Sequence, residues 1–168
     1  MFRSLKRLAS GTPTIAELEN ARDYNGLIRA IDETLGGDAD DLWVSGKALR
    51  NLHEPKSVDG LVKVIISHCQ KAYAYDEKAK AIEAEYAGNV QQVLGYRNVM
   101  FNGPSPATEP RRMASHHRRI CSTASDCLAS AKSPEAVARY LKRGDLASDR
   151  RRYNSEIRDY LQRALGES

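Results

Sequence analysis

The chain has 168 residues, of which 41% are hydrophobic and 29% charged, with a net charge of +4. This composition is typical of a globular domain that buries its own core, and it excludes a disordered chain. No apolar run approaches the roughly 20 residues of a membrane span, and three cysteines, an odd number, exclude a disulfide scaffold and indicate a reducing, cytoplasmic location.

Residues 1–13 are predicted to form a basic N-terminal arm or a short helix. Phe2, Leu5 and Leu8 fall on one face of a helix, and no acidic residue precedes Glu17. An amphipathic, basic start of this kind is also typical of transit peptides, although ten residues are few for one. Targeting or secretion by this segment therefore remains an alternative.

Residues 14–168 are predicted to form a single all-α domain, because apolar residues recur at helical spacing nearly throughout. Thr14 and Glu17 match a capping box that starts the first helix, and Ser57 is a predicted N-cap. In this half of the domain we expect breaks at Gly36-Gly37, at Pro55 and at Gly88-Asn89. The expected helices cover 14–31, 42–52, 57–69, 72–86 and 90–100.

The second half begins with a Pro-rich loop at 102–110, where three prolines exclude regular structure. Beyond the loop we expect a long helix over 111–131. Ser133, as N-cap, and Pro134, as first helical residue, predict another helix to about 142. Residues 146–165 are expected to close the chain as one helix. No segment alternates with period two, so we expect no sheet.

Arginines are concentrated in the second half. Residues 95–168 carry 14 basic and 8 acidic side chains, a net charge of +6, and 12 of the bases are arginine. Because arginine binds carboxylates and phosphates bidentately, these residues suit a contact surface. The candidate binding residues are Arg111, Arg112, Arg118, Arg119, Arg150, Arg151 and Arg152. They predict an acidic protein partner, with nucleic acid as the alternative.

Two segments of the sequence recur later in the chain. The hexapeptide 26–31 (GLIRAI) recurs at 60–65 (GLVKVI), and the segment 47–58 aligns with 126–137. The offsets are 34 and 79 residues, the second being about two periods of 39 to 40. Helix pairs that repeat every 30–45 residues are typical of α-solenoids, in which each pair buries its apolar face on its neighbours.

The best part of this repeat has the pattern Ala48-Leu49-x-x-Leu52-x-x-Pro55-x-x-Val58-x-x-Leu61-x-x-x-Ile65. It resembles the HEAT-like repeats of the phycobilisome-lyase type. The resemblance implies a superhelix of three to four antiparallel helix pairs, which would act as a protein-binding scaffold or adaptor. An acidic residue of the family motif could come from 38–41, but no arginine follows within 42–48. An irregular helical bundle is the alternative architecture.

A second resemblance concerns catalysis. Arg112 and His117 have an Arg-x4-His spacing, as do Arg111 and His116, and this spacing is similar to the active motif of HEPN-type ribonucleases. In such a site the arginine would stabilise phosphate charge and the histidine would act as acid or base. The alternative interpretation is an exposed helix face rich in arginine and histidine.

Other chemistry is weakly indicated. His117 and Cys121 have an i, i+4 spacing that can bind a metal, but nothing in the sequence brings His68-Cys69 to them. Gly-rich phosphate loops, Gly-x-Ser-x-Gly and Cys-x-x-Cys are absent from the sequence. We therefore predict a non-catalytic binding module with no metal and no cofactor.

Overall fold

The computed structural model describes residues 13–35, 57–94, 105–143, 146 and 151–166, with backbone alone for 34–35 and 88–94. These residues form six helices and no strand, which confirms the all-α prediction. The helices are α1 (Ile15–Ala21), α2 (Tyr24–Leu35), α3 (Val58–Leu94), α4 (Thr108–Ser130), α5 (Pro134–Leu141) and α6 (Tyr153–Leu165). The N-terminal arm up to residue 12, the predicted helix at 42–52 and Arg150 lie outside the described residues.

The first helix begins as predicted. Glu17 N–H donates to Thr14 Oγ1 at 3.3 Å, and Thr14 N–H donates to Glu17 Oε2 at 2.8 Å. Each side chain thus satisfies a backbone donor that the helix leaves without a partner. The helix ends at Arg22, whose φ of +56° lies in the left-handed region and turns the chain into α2.

The longest helix corrects a prediction. We expected separate helices at 57–69, 72–86 and 90–100 with a turn at Gly88-Asn89, but α3 runs unbroken for 37 residues from Val58 to Leu94. Glycine inside a helix costs only about 1 kcal/mol relative to alanine. That cost is small beside the stabilisation that α3 gains over its length, where it packs against α2, α4, α5 and α6.

Two further boundaries differ from the predictions. Helix α4 begins at Thr108, so Pro110 lies in its first turn, where a missing N–H breaks no helical hydrogen bond. The helix predicted over 146–165 is interrupted at residues 151–152, and α6 begins at Tyr153. Helix α5 starts at Pro134 as predicted, but the Ser133 hydroxyl donates to Ala131 O and does not cap the helix.

Two helices begin in the same way. Gly26 N–H donates to Asp23 Oδ1 at 2.9 Å, and Gly60 N–H donates to Ser57 Oγ at 3.1 Å. Each acceptor is an N-cap side chain that bonds the N–H three residues later. The apolar positions that follow are buried in both helices: Leu27, Ile28 and Ile31 in α2, and Leu61, Val62 and Ile65 in α3. The hexapeptide repeat therefore corresponds to two equivalent helix starts.

Helices α3 and α4 form the centre of the fold. They are antiparallel, because Ile65 on α3 contacts Cys121 on α4, whereas Glu83, farther along α3, contacts Arg111, earlier in α4. Helix α6 packs against both, α5 packs against α6 and the start of α3, and α1 with α2 covers the middle of α3. No helix among the described residues is long and apolar enough to cross a membrane.

The apolar core consists of two clusters, and α3 and α4 contribute to both. The C-terminal cluster comprises Leu61, Val62, Ile65, Cys69, Ile120, Cys121, Ala124, Leu128, Val137, Leu146, Tyr153, Ile157 and Leu161. The N-terminal cluster comprises Leu18, Leu27, Ile28, Ile31, Ala74, Tyr75, Met113 and Ala114. Between the two clusters, both central helices present polar side chains.

Candidate functional site

Four polar side chains occupy the core between the two apolar clusters, and we call them the polar layer: Asp32, His68, Lys71 and His117. The Lys71 ammonium forms an ion pair with the Asp32 carboxylate, which joins α3 to α2. His68 Nδ1 lies 2.8 Å from His117 Nδ1, which joins α3 to α4. Asp32 is 5% exposed, and the other three side chains are fully buried. The polar layer is therefore closed to solvent within the part of the chain that the structure describes.

The two histidines of the polar layer are neutral. Burial, together with the nearby Lys71 charge, lowers the pKa of His68 to about 3. Burial, together with the neighbouring His68 and Lys71, lowers the pKa of His117 to about 2. One imidazole therefore donates its Nδ1 proton to the Nδ1 of the other. Tyr75 stacks on His117 with ring centroids 5.6 Å apart and an interplanar angle of 14°. The cluster is thus a hydrogen-bonded and stacked unit in which the ion pair holds the charge.

The Arg-x4-His pair lies in two different environments. Arg112 is exposed and donates two hydrogen bonds to Glu109, at 2.8 and 2.9 Å, whereas His117 is fully buried against His68. An exposed guanidinium and a buried imidazole cannot contact one phosphate group. The interpretation as an exposed face is right for Arg111 and Arg112 and wrong for His117. The structure therefore does not bring the two ribonuclease residues to one surface.

The four histidine and cysteine side chains considered as metal ligands come together in pairs. His68 contacts His117, and Cys69 Sγ lies 3.4 Å from Cys121 Sγ. Neighbouring residues on α3 thus meet residues one turn apart on α4. No group of three or more His, Cys, Asp or Glu side chains in the described residues is arranged to hold a metal ion.

Most of the candidate binding arginines are neutralised within the molecule. Arg111 donates two hydrogen bonds to Glu83 at 2.8 Å, and Arg118 bonds Asp76 at 2.6 Å and Glu156 at 2.7 Å. The contacts of the others, with their carboxylate partners, are Arg112–Glu109 (2.8 Å), Arg151–Glu19 (3.8 Å) and Arg152–Glu77 (3.8 Å). Arg119 is exposed and forms no ion pair within the described ranges. The arginine clusters therefore do not form one bare positive surface.

A basic groove lies between α5 and the start of α3, and we call it the α5 groove. It has a volume of about 310 Å³ and is lined by Asp59, Ala136, Arg139, Tyr140 and Arg143. Ala136, Arg139 and Tyr140 fall at i, i+3 and i+4, which is one face of α5, and Arg143 lies two residues beyond the end of that helix. The Arg143 guanidinium lies 5.4 Å from the centre of the Tyr140 ring, and the Tyr140 hydroxyl donates to Asp59 Oδ1 at 2.6 Å. That bond raises the pKa of Tyr140.

The sequence analysis did not single out this groove. Arg139 has no basic neighbour and Arg143 follows a lysine, whereas the candidate binding arginines come in adjacent pairs or triplets. A signal was nevertheless present, because 132–143, which contains the whole of the short helix α5, carries four bases and one acid.

In comparisons with known proteins, no family model, curated protein or solved structure matches the chain.

Proposed function

We propose that this chain is a non-catalytic docking module that binds an acidic segment of a partner protein in the α5 groove. The observation that carries the proposal is the uncompensated positive charge at this groove. Arg139 lines the groove, and Lys132 and Lys142 are near it in the sequence. All three are exposed and form no ion pair within the part of the chain that the structure describes. This contrasts with the carboxylate partners of Arg111, Arg112 and Arg118.

The chemistry of the groove suits side-chain carboxylates. The exposed Arg139 guanidinium can bind a carboxylate with two hydrogen bonds. The lining of the groove has two arginines against the single carboxylate of Asp59, which accepts a hydrogen bond from the Tyr140 hydroxyl, so the formal charge of the lining is +1. The Tyr140 ring and Ala136 supply an apolar floor for the stem of a bound glutamate or aspartate.

The architecture of the module is a second part of the proposal. We propose that α2 and the start of α3 are corresponding helices of two HEAT-like units. Their equivalent N-caps and buried positions support this, from Gly26 and Gly60 onward. Because α3 also contacts α2, α4, α5 and α6, we propose that the two units are packed within an irregular bundle, since a repeat of a regular solenoid touches only its neighbours.

The docking proposal is tested by fluorescence anisotropy with a labelled poly-glutamate peptide at low and physiological salt. The double variant Arg139→Ala/Arg143→Ala is expected to weaken binding about tenfold, the loss of one or two charge-assisted contacts. The matched control Arg111→Ala/Arg112→Ala removes the same charge from residues that already have carboxylate partners. It is expected to bind within about twofold of the natural chain, because its residues lie outside the groove. Both variants lose two positive charges, so the difference between them excludes a long-range electrostatic effect.

Three outcomes would overturn the docking proposal. They are the absence of peptide binding at low salt, an equal loss in both double variants, and tighter binding of single-stranded RNA or duplex DNA than of the peptide. The last outcome would favour the nucleic-acid alternative, for which affinity falls steeply with salt. Cleavage of the RNA, seen on a gel, would contradict the proposal that the module is non-catalytic.

A further inference from the structure

Two thiols face each other between the central helices. Cys69 Sγ on α3 and Cys121 Sγ on α4 lie 3.4 Å apart, and both side chains are fully buried. Cys121 Sγ also lies 3.6 Å from Ile65 O. Cys69 can therefore donate to Cys121 while Cys121 donates to the backbone. Two sulfurs at this distance are in non-bonded contact, and a disulfide would bring them about 1.4 Å closer.

The residues one turn beyond the two cysteines are small. Ala72 follows Cys69 by three residues and Ala124 follows Cys121 by three, so each thiol is followed one turn later by a small buried side chain. The two cysteines come from antiparallel helices and are 52 residues apart in the sequence. A bond between them would therefore close a long loop.

We propose that Cys69 and Cys121 form an oxidation site, at which a hydroperoxide converts the two thiols into an interhelix disulfide. In the first step one thiolate attacks the peroxide, giving a sulfenic acid and releasing an alcohol, or water from hydrogen peroxide. In the second step the other thiol attacks the sulfenic sulfur, the S–S bond forms and water leaves. Two sulfurs are oxidised by one electron each, and one peroxide bond is reduced.

The two steps proceed at different rates. Burial raises the pKa of the Cys69 thiol, so the thiolate is scarce and the first step waits for transient opening of the α3–α4 contact. The second step is intramolecular between groups already in contact, which makes it fast. The disulfide therefore forms slowly, and it forms before a second peroxide can produce a sulfinic acid.

The test uses the full chain, reduced and then exposed to hydrogen peroxide. After denaturation, the thiol count is expected to fall from three to one, and the mass to fall by about 2 Da. Peptide mapping is expected to join the fragments that contain Cys69 and Cys121. The oxidised protein is expected to melt about 10 °C higher than the reduced protein, because the bond closes a long loop in the unfolded chain. Dithiothreitol should restore the three thiols and the melting temperature of the reduced protein.

Cys127, six residues beyond Cys121 on α4 and half-buried, provides the matched control. The variant Cys127→Ser is expected to form the same cross-link, whereas Cys69→Ala and Cys121→Ala should each keep two thiols. Mapping on the natural chain decides the matter even where a core variant fails to fold. The proposal is overturned if the mapped bond includes Cys127 or joins two chains. It is equally overturned if sulfinic acid accumulates in place of a disulfide, or if all three thiols persist.

Discussion

Lys71 is the largest side chain in the described structure that is fully buried, and its charge sets the chemistry of its surroundings. An ammonium group loses several kcal/mol of hydration on entering a protein core. The Asp32 carboxylate, contributed by α2 and itself 5% exposed, offsets that loss. The pair therefore joins α2 to α3, and substitution of either side chain alone is expected to destabilise the fold.

The first residue-scale prediction concerns this ion pair. Asp32→Ala is expected to lower the free energy of unfolding by about 3–5 kcal/mol, because it removes the compensating charge from a buried ammonium. The double variant Asp32→Leu/Lys71→Met should recover most of the loss, since apolar residues of similar size replace both charges. Urea denaturation measures both effects.

The exposed pair of Lys80 with Glu77 provides the control for this prediction. Lys80→Ala is expected to change the free energy of unfolding by less than about 1 kcal/mol, as is usual for surface ion pairs. The interpretation fails if Asp32→Ala is no more destabilising than Lys80→Ala.

The second residue-scale prediction concerns acid. His68 and His117 have pKa values of about 3 and about 2 in the folded chain, against an ordinary value of 6.5. Below pH 6.5 the unfolded chain binds protons that the folded chain does not, so folding stability is present above pH 6.5 and falls as the pH drops toward 3. Each histidine should cost about 1.5 kcal/mol between pH 6.5 and pH 5.

Urea denaturation at a series of pH values tests this dependence above the range in which most carboxylates take up protons. His116 is the natural control, because it is only half-buried and its pKa is lowered much less. The variant His116→Gln should retain the steep acid limb. A free energy of unfolding that stays constant from pH 6.5 to pH 5 would contradict the assignment of two neutral buried histidines.

At the scale of single helices, the sequence predicts those features that depend on residues three or four positions apart. Thr14 and Ser57 were identified as helix starts because an N-cap side chain bonds an N–H three residues later, and both bonds are present. The end of a helix is a weaker signal. Gly88 and Asn89 read as a turn, yet α3 continues through them, because packing of the helix as a whole outweighs the local propensity.

The element-scale prediction compares two glycines that occupy the same position in the repeat. A Cβ on Gly26 would lie 2.3 Å from Asp23 Oδ2 and 2.9 Å from Leu18 Cδ2. Moving the Asp23 carboxylate would break the cap of α2, and Leu18 belongs to the core. Gly26→Ala should therefore destabilise the protein by about 1–2 kcal/mol, in spite of alanine's higher helix propensity.

Gly60→Ala is the matched substitution. Its Cβ would meet only Ser57 Oγ, at 3.3 Å, so the gain in helix propensity should leave stability unchanged or raise it by up to about 1 kcal/mol. Thermal denaturation of the two variants decides the point. A Gly26→Ala variant as stable as the natural chain would contradict close packing at the corner between α1 and α2.

At the scale of the whole molecule, α3 and α4 make the two apolar clusters a single cooperative unit. Ile31 belongs to the N-terminal cluster and Ile157 to the C-terminal cluster, and each is fully buried. Ile31→Ala and Ile157→Ala are each expected to lower the stability by about 2–5 kcal/mol. Both should shift one common unfolding transition, as followed by circular dichroism in urea. A transition that splits in either variant would show that the clusters unfold separately.

The polar layer depends on contacts between residues that are far apart in the sequence, and no local pattern predicts such contacts. The partners Asp32 and Lys71 are 39 residues apart, and His68 and His117 are 49 residues apart. The arginine clusters were visible in the sequence, but their carboxylate partners on α3 were not, since the rotation of α4 against α3 decides whether Arg118 meets Asp76. The composition therefore predicted a basic molecule, and the packing determines which bases remain available.

The polar layer also restricts how the chain can assemble. A purely apolar seam between two long helices accepts several alignments with similar burial, and a slip of one turn moves α4 along α3 by about 5.4 Å. Such a slip would remove His117 from His68 and leave an imidazole against the apolar side chains of a neighbouring turn. Misaligned forms of the central pair thus carry a penalty that the native alignment avoids, as a buried polar residue does in a coiled coil. The four polar side chains therefore select one alignment of α4 along α3, which apolar side chains at the same positions would not do.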